Sequence, residues 1–173
     1  PDWKNCVQCP TIDPQLELQQ LVSTPNIGEA IAFSKQGTGW QDFVIHGFAH
    51  PEVWGAWSEG PRAKLVLPIP SALFDEKKPS AALRLKLNAL LTPHKPVQKL
   101  RLRINQESWQ AFELQYGQNN ELLLPIPLSA FKQAYLDLEL DIENPQSPKA
   151  LGISTDTRLI AVGLQSIIFL RNH

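Results

Sequence analysis

Residue types with chemical capacity collect in one stretch, residues 47–60, GFAHPEVWGAWSEG. It holds Trp54 and Trp57, the carboxylates Glu52 and Glu59, His50, Ser58 and Phe48, with glycine at 47, 55 and 60. Three chemistries can be weighed against this set. Two carboxylates beside aromatic rings are the residue types of glycoside hydrolysis, which needs them at a set spatial separation. Both lie in one loop, which favours structural or ligand-orienting carboxylates over an acid and nucleophile pair. His46 and His50 are four apart, but a strand-to-loop context does not give them the shared helical face that metal ligands at this spacing use, so no metal is expected. The third chemistry is recognition. An indole face stacks on the apolar face of a sugar while Glu52, Ser58 or His50 bonds its hydroxyls. Against it stands a plain packing reading, in which Trp54 and Trp57 plug one end of a core, since glycines beside large rings also suit close packing.

A second loop, residues 144–163, reads NPQSPKALGISTDTRLIAVG. Pro145 and Pro148 stop the strand before it, and Gly152 permits a sharp return. Asp156 and Arg158, two apart, are placed to pin the loop as an ion pair, with ligand binding as the second use. Cys6 and Cys9 make a lone C-x-x-C. No second pair completes a four-ligand zinc site, and prolines rather than a helix follow, so a small-loop disulfide or two free thiols is expected, with a lean towards an oxidising compartment. The chain has no G-x-S-x-G, P-loop, G-x-G-x-x-G or H-E-x-x-H. No cofactor is expected, no residue is assigned a catalytic role, and the domain is expected to be non-enzymatic by itself.

Bulk properties narrow the partners. The 16 basic and 17 acidic residues nearly cancel to a formal net charge of −1, so no overall field draws the chain to nucleic acid or anionic lipid. No apolar run reaches the roughly 18 to 20 residues that span a bilayer, so direct membrane insertion is not expected. With 43% hydrophobic and 19% charged residues in 173, the chain suits one domain with a real core. Methionine is absent and the chain begins at Pro1, which reads as a mature product or, preferably, as a piece of something longer. Residues 1–26 carry four prolines and read as a linker or lead-in; residues 27–173 read as the domain.

The elements that must hold these residues are strands. Residues 83–89 (LRLKLNA), 100–104 (LRLRI) and 135–143 (YLDLELDIE) alternate apolar and polar, the mark of strands with one buried and one wet face. Shorter strands are expected at 30–33, 43–45, 63–70, 109–114, 122–126 and 164–170. Pro68 and Pro70 restrict the strand at 63–70 to an edge or to ending there. The GQNN run at 117–120 predicts a hairpin between the strands at 109–114 and 122–126. At most a short helix is expected at 129–134. About nine or ten strands with almost no helix call for an all-β fold, an antiparallel β-sandwich, jelly-roll-like. The acidic face of Asp137, Glu139, Asp141 and Glu143 is expected beside a basic strand face, either Arg84 and Lys86 or Lys99, Arg101 and Arg103, because opposite charges across a strand pair attract.

The sequence also resembles a known kind of domain. The residues that carry the likeness are I-G-E-x-I-x-F at 27–33, G-F-x-H-P-E-x-W-G-x-W-S-x-G at 47–60, S-P-x-x-L-G-x-S-x-D-x-R at 147–158 and G-L-x-S at 163–166. Together they resemble a β-sandwich domain of bacterial envelope-glycan proteins, similar to a C-terminal appendage of membrane-bound glycosyltransferases or phosphoglycerol transferases. The resemblance implies an extracytoplasmic, periplasmic-side setting within a membrane-anchored protein. It implies as partners a glycan or oligosaccharide and a parent membrane enzyme or neighbouring domain. The expected function is carbohydrate binding or glycan positioning at Trp54, Trp57, Glu52, His50, Ser58, Asp156 and Arg158. A structural or protein-docking domain without glycan binding is the alternative.

Overall fold

The computed structural model describes residues 24–39, 44–74 and 76–172. Cys6, Cys9 and nearly all of the expected lead-in lie outside the described residues. Among the described residues the alternating patterns become ten strands: β1 (Ala30–Ala32), β2 (Val44–His46), β3 (Ala56–Trp57), β4 (Arg62–Pro68), β5 (Ala81–Ala89), β6 (Val97–Ile104), β7 (Gln110–Gln115), β8 (Asn120–Pro125), β9 (Tyr135–Ile142) and β10 (Val162–Arg171). The expected short helix is a 3-10 turn at Leu128–Lys132. β4 ends at Pro68, where the missing N–H removes no interior ladder bond.

The strands form two sheets, each antiparallel throughout. The first runs β1-β10-β5-β8, with β3 also paired to β10; the second runs β2-β4-β9-β6-β7. From β4 onwards the chain steps between them, with β4, β6, β7 and β9 in the second sheet and β5, β8 and β10 in the first. The orders β10-β5-β8 and β4-β9-β6-β7, traversed in this sequence, are the interleaving of a jelly roll. The all-β sandwich expected from the pattern is the fold observed.

Strand alternation sets what faces inward. Leu83, Leu85 and Leu87 of β5, Leu136, Leu138 and Leu140 of β9, Leu100 and Leu102 of β6, and Ile167 and Phe169 of β10 are buried together between the sheets. Each such side chain contributes about 1.5–3 kcal/mol by leaving water, which offsets the entropy of ordering a fold built from non-local strand pairs. The residues between them face out. On the second sheet, Arg103 stands opposite Glu139 and Arg101 opposite Asp141. Arg103 Nε reaches Glu139 Oε2 at 2.6 Å, Lys64 Nζ reaches Asp137 Oδ2 at 2.9 Å, and Arg101 pairs with Asp141. The acidic strand does lie beside a basic one. Arg84 and Lys86 belong to the other sheet, where Lys86 stands opposite Glu121 of β8.

One expectation is corrected. β7 and β8 are consecutive but sit in different sheets, so the turn at 116–119 is a crossover and not a hairpin. The local chemistry mimics a hairpin because the Asn120 side chain imitates a backbone partner. Its Oδ1 accepts from Gln115 N at 2.9 Å and its Nδ2 donates to Gln115 O at 3.1 Å. Gly117 supplies the positive φ of 70° that the reversal needs.

Candidate functional site

Residues 47–60 fold as a flap that doubles back on itself and is then laid on the first sheet. Its two limbs are tied by Glu59 N to Gly47 O at 2.8 Å, Ala49 N to Trp57 O at 2.8 Å and Glu52 N to Gly55 O at 2.7 Å. The last of these closes a two-residue reversal at Val53 and Trp54. The Glu52 carbonyl in turn accepts from Lys35 N at 2.7 Å. Gly47 is required at its place: its φ is 76°, and a Cβ there would overlap the Arg62 carbonyl. The flap docks through β3, where Trp57 stands opposite Gly163 and Ala56 opposite Leu164 of β10.

That register decides where the indoles go. Gly163 is also opposite Asn88 of β5, and Leu164, its neighbour, points into the core. Trp57, Gly163 and Asn88 therefore share the outer face of the first sheet. Trp54 folds over the same spot. Any side chain at Gly163 would collide with Cη2 and Cζ3 of its ring. The two rings meet edge to face, with centroids 4.9 Å apart and planes at 68°, an arrangement that aromatic quadrupoles favour. Trp54 Nε1 donates to Glu52 Oε2 at 2.9 Å. Both indoles are half-buried and neither belongs to the buried core. They do not plug the end of the sandwich; they lie on its outside, fixed on one side and open on the other.

The second loop reaches the same corner. Gly60 N donates to Leu159 O at 2.8 Å, which sets residues 158–160 alongside the end of the flap. Arg158 clasps Asp156 with Nε and Nη2, at 3.0 and 2.7 Å from Oδ2, and its backbone N donates to Oδ1 at 2.9 Å. These bonds hold the Asp156 carboxyl below its ordinary range. They also hold the guanidinium of Arg158 above its own, with Glu52 and Glu59 close enough to add to the effect. Glu52 and Glu59 are thus within electrostatic reach of the Asp156 and Arg158 pair, and Glu52 is the one of the four bonded to an indole. His50 is exposed in the outer limb of the flap.

Ser58 is a correction. It is completely buried, and its hydroxyl accepts from Val162 N at 3.1 Å while its own N donates to Val162 O at 2.6 Å. A ligand hydroxyl has no route to it. Ser58 anchors the flap to β10, and its serine chemistry is spent on the backbone. Among the described residues no group of three or more His, Cys, Asp or Glu side chains is placed to hold a metal ion.

Beside Trp54 lies a feature that pattern reading missed, a surface hollow of about 230 Å³. Its lining includes Asn88, Gln165, Gln118, Asn119, Asn120 and Tyr116. The hollow and the indole share a wall: Asn88 flanks the Gly163 that Trp54 covers, and Gly55 of the flap packs against Gln165. The only trace of it in the sequence is the amide density of residues 115–120. Asn88 and Gln165 look like ordinary polar positions on their strands until β10 is paired with β5.

No model of a known protein family matches the chain, and no curated protein matches it. Among solved structures, one described as a family two carbohydrate esterase from Cellvibrio japonicus is similar over 84% of this chain, at 10% identity and a TM-score of 0.43. The chain spans 33% of that protein's length. That protein is an enzyme, which runs against the expectation that this domain is non-enzymatic by itself, and the expectation is withdrawn. A likeness at this level transfers neither a reaction nor any residue's role.

Proposed function

We propose that this domain binds carbohydrate at the Trp54 and Trp57 corner and positions glycan within a bacterial envelope-glycan biosynthesis or modification protein. Its place would be on the extracytoplasmic side, joined to or beside a membrane enzyme. One observation carries the reading. Two indoles are held rigid on the outside of a sheet, over a glycine that gives them room, with their neighbouring polar groups in place. A stacking surface ordered before the ligand arrives loses little entropy on binding. Glu52, already bonded to Trp54, has lone pairs left for sugar hydroxyls, and the reading assigns to the same site His50, exposed in the flap, and Arg158, within electrostatic reach of Glu52.

The test is tryptophan fluorescence and retention in glycan-loaded gels, run on the chain and on Trp54→Ala and Trp57→Ala. The expected result is a glycan-dependent change in the parent protein and a loss of about tenfold or more in retention for each variant, with a cooperative melting transition preserved. A parent protein indifferent to every glycan offered would overturn the reading. A docking domain is the second reading. Val53 at the tip of the flap is 89% exposed and Leu159, next to Gly60 at its other end, 50% exposed, and exposed apolar groups suit contact with a neighbouring domain.

A further inference from the structure

We infer that the hollow beside Trp54 is a subsite for one uncharged, hydroxyl-rich sugar ring, continuous with the indole surface. The inference rests on the carbohydrate reading above and names the class of ligand. Three observations support it.

The first is chemistry. Among the described residues the lining contains no Asp, Glu, Lys, Arg or His, and its polar groups are mainly carboxamides. A carboxamide offers both donor and acceptor, as does a sugar hydroxyl, so each can satisfy the other without a proton or charge changing place. An anionic sugar would leave water for a place with no cation to meet it, a desolvation cost without repayment.

The second is availability. Asn120 is committed, because its side chain braces the crossover by bonding Gln115. Asn88 Oδ1 accepts from Gln165 Nε2, which fixes both amides and leaves Asn88 Nδ2 and Gln165 Oε1 without partners among the described residues. One donor and one acceptor, held by each other on adjacent strands, is the arrangement that reads neighbouring hydroxyls. Gln118 and Asn119 add exposed amides from the crossover, and Tyr116, half exposed, adds a ring.

The third is continuity and size. Asn88 borders both the hollow and the glycine beneath Trp54. A ring seated in the hollow would be followed by a second over the indoles. At about 230 Å³ the space falls below the roughly 300–1,000 Å³ of pockets that enclose drug-sized ligands, and suits a single ring with one side open.

The experiment is calorimetric titration of the 173-residue chain with neutral tetrasaccharides (cellotetraose, xylotetraose, mannotetraose) and with tetragalacturonate, for the parent and for Trp54→Ala, Asn88→Ala and Gln118→Ala. The expected result is binding of at least one neutral tetrasaccharide in preference to the uronate. Loss of one or two neutral hydrogen bonds should weaken it by about three- to tenfold in Asn88→Ala and in Gln118→Ala. Gln118 lies on the exposed crossover and serves as the folding control, with an unchanged melting temperature. If Trp54→Ala loses affinity while both amide variants bind as the parent does, the subsite is overturned and the indole reading stands. Equal or tighter binding of the uronate overturns the neutral class. No binding by the parent removes the indole reading and the subsite together.

Discussion

The two outer faces of the sandwich use tryptophan and polar groups in opposite ways. On the second sheet Trp109 lies under two guanidiniums, with Arg103 Cζ 4.4 Å and Arg101 Cζ 5.1 Å from its ring centre. Those arginines are themselves paired with Glu139 and Asp141. Ring face, cations and carboxylates satisfy one another, and the surface is complete as it stands. On the first sheet the partners of Trp54 and Trp57 among the described residues are each other, Glu52 and a glycine, and among the same residues the amides next to them keep unused donors and acceptors. Residue types alone do not separate a self-satisfied face from one with capacity to spare; the partners do. This difference, more than the number of aromatic residues, is why the proposed carbohydrate surface is put on the first sheet.

The sharpest way to break the contrast is to remove the seat of Trp54. Gly163→Leu places a side chain where the indole lies, at a buried position whose neighbours are strand backbone and Asn88. The expected loss is about 1–3 kcal/mol of stability by chemical denaturation, together with glycan retention. Retention unchanged would mean that the indoles work wherever they are put, and the fixed-platform argument would fail. Ser58→Ala comes next. It leaves Val162 N–H buried without its side-chain acceptor, for an expected cost of about 1–3 kcal/mol, and glycan affinity measured below the melting range should stay within about twofold. A large drop in affinity with little loss of stability would return Ser58 to the ligand and undo its reassignment as an anchor.

Much of this architecture was legible because strand alternation is a direct imprint of burial. The runs at 83–89, 100–104 and 135–143 each gave a strand with the expected faces, and the charges announced a basic neighbour for the acidic strand, which of the two basic strands being decided only by the β6 and β9 pairing. What was not legible depends on which strands become neighbours. Gly163 looks like a loop-end glycine until β10 is set between β3 and β5, and Gln165 gains Asn88 as a partner only across 77 positions of chain. The GQNN turn misled because Asn120 satisfies the backbone locally, as a hairpin would, while the next strand leaves for the other sheet. Ser58 misled for a related reason: a hydroxyl among aromatic residues suggests a ligand contact, and only the long-range pairing to Val162 shows it already used.

Smaller effects test the charged face. In a double-mutant cycle on Arg103 and Glu139, a half-buried pair bonded at 2.6 Å, the coupling energy should be about 0.2–1 kcal/mol and should shrink at high salt. Removing Arg103 also uncovers Trp109, so Arg103→Ala should raise the exposure of that ring to a neutral quencher while leaving glycan binding as it was. Glycan affinity that follows Arg103 would make the two faces one binding surface and end the contrast between them.

The last test concerns the loop that carries the chain from the first sheet to the second, where a cation lacks what the ladder supplies. Lys95 lies between β5 and β6, and its Nζ is sealed from solvent with no hydrogen-bond partner among the described residues. Burial lowers its pKa from 10.5, since the charged form is the one that loses water. With the folded value below the unfolded one, the unfolded chain holds the proton over the interval between them. Stability therefore rises with pH across that interval, up to about the ordinary lysine value of 10.5, and below it the fold bears the cost of the buried charge. Lys95→Met keeps the length of the side chain and removes the charge. Its expected result is a small gain in stability at neutral pH and a flatter profile in the alkaline limb, read from urea midpoints in a pH series. A loss of stability instead would show that Lys95 has an acceptor, and that the junction between the sheets is as fully paired as the ladder beside it.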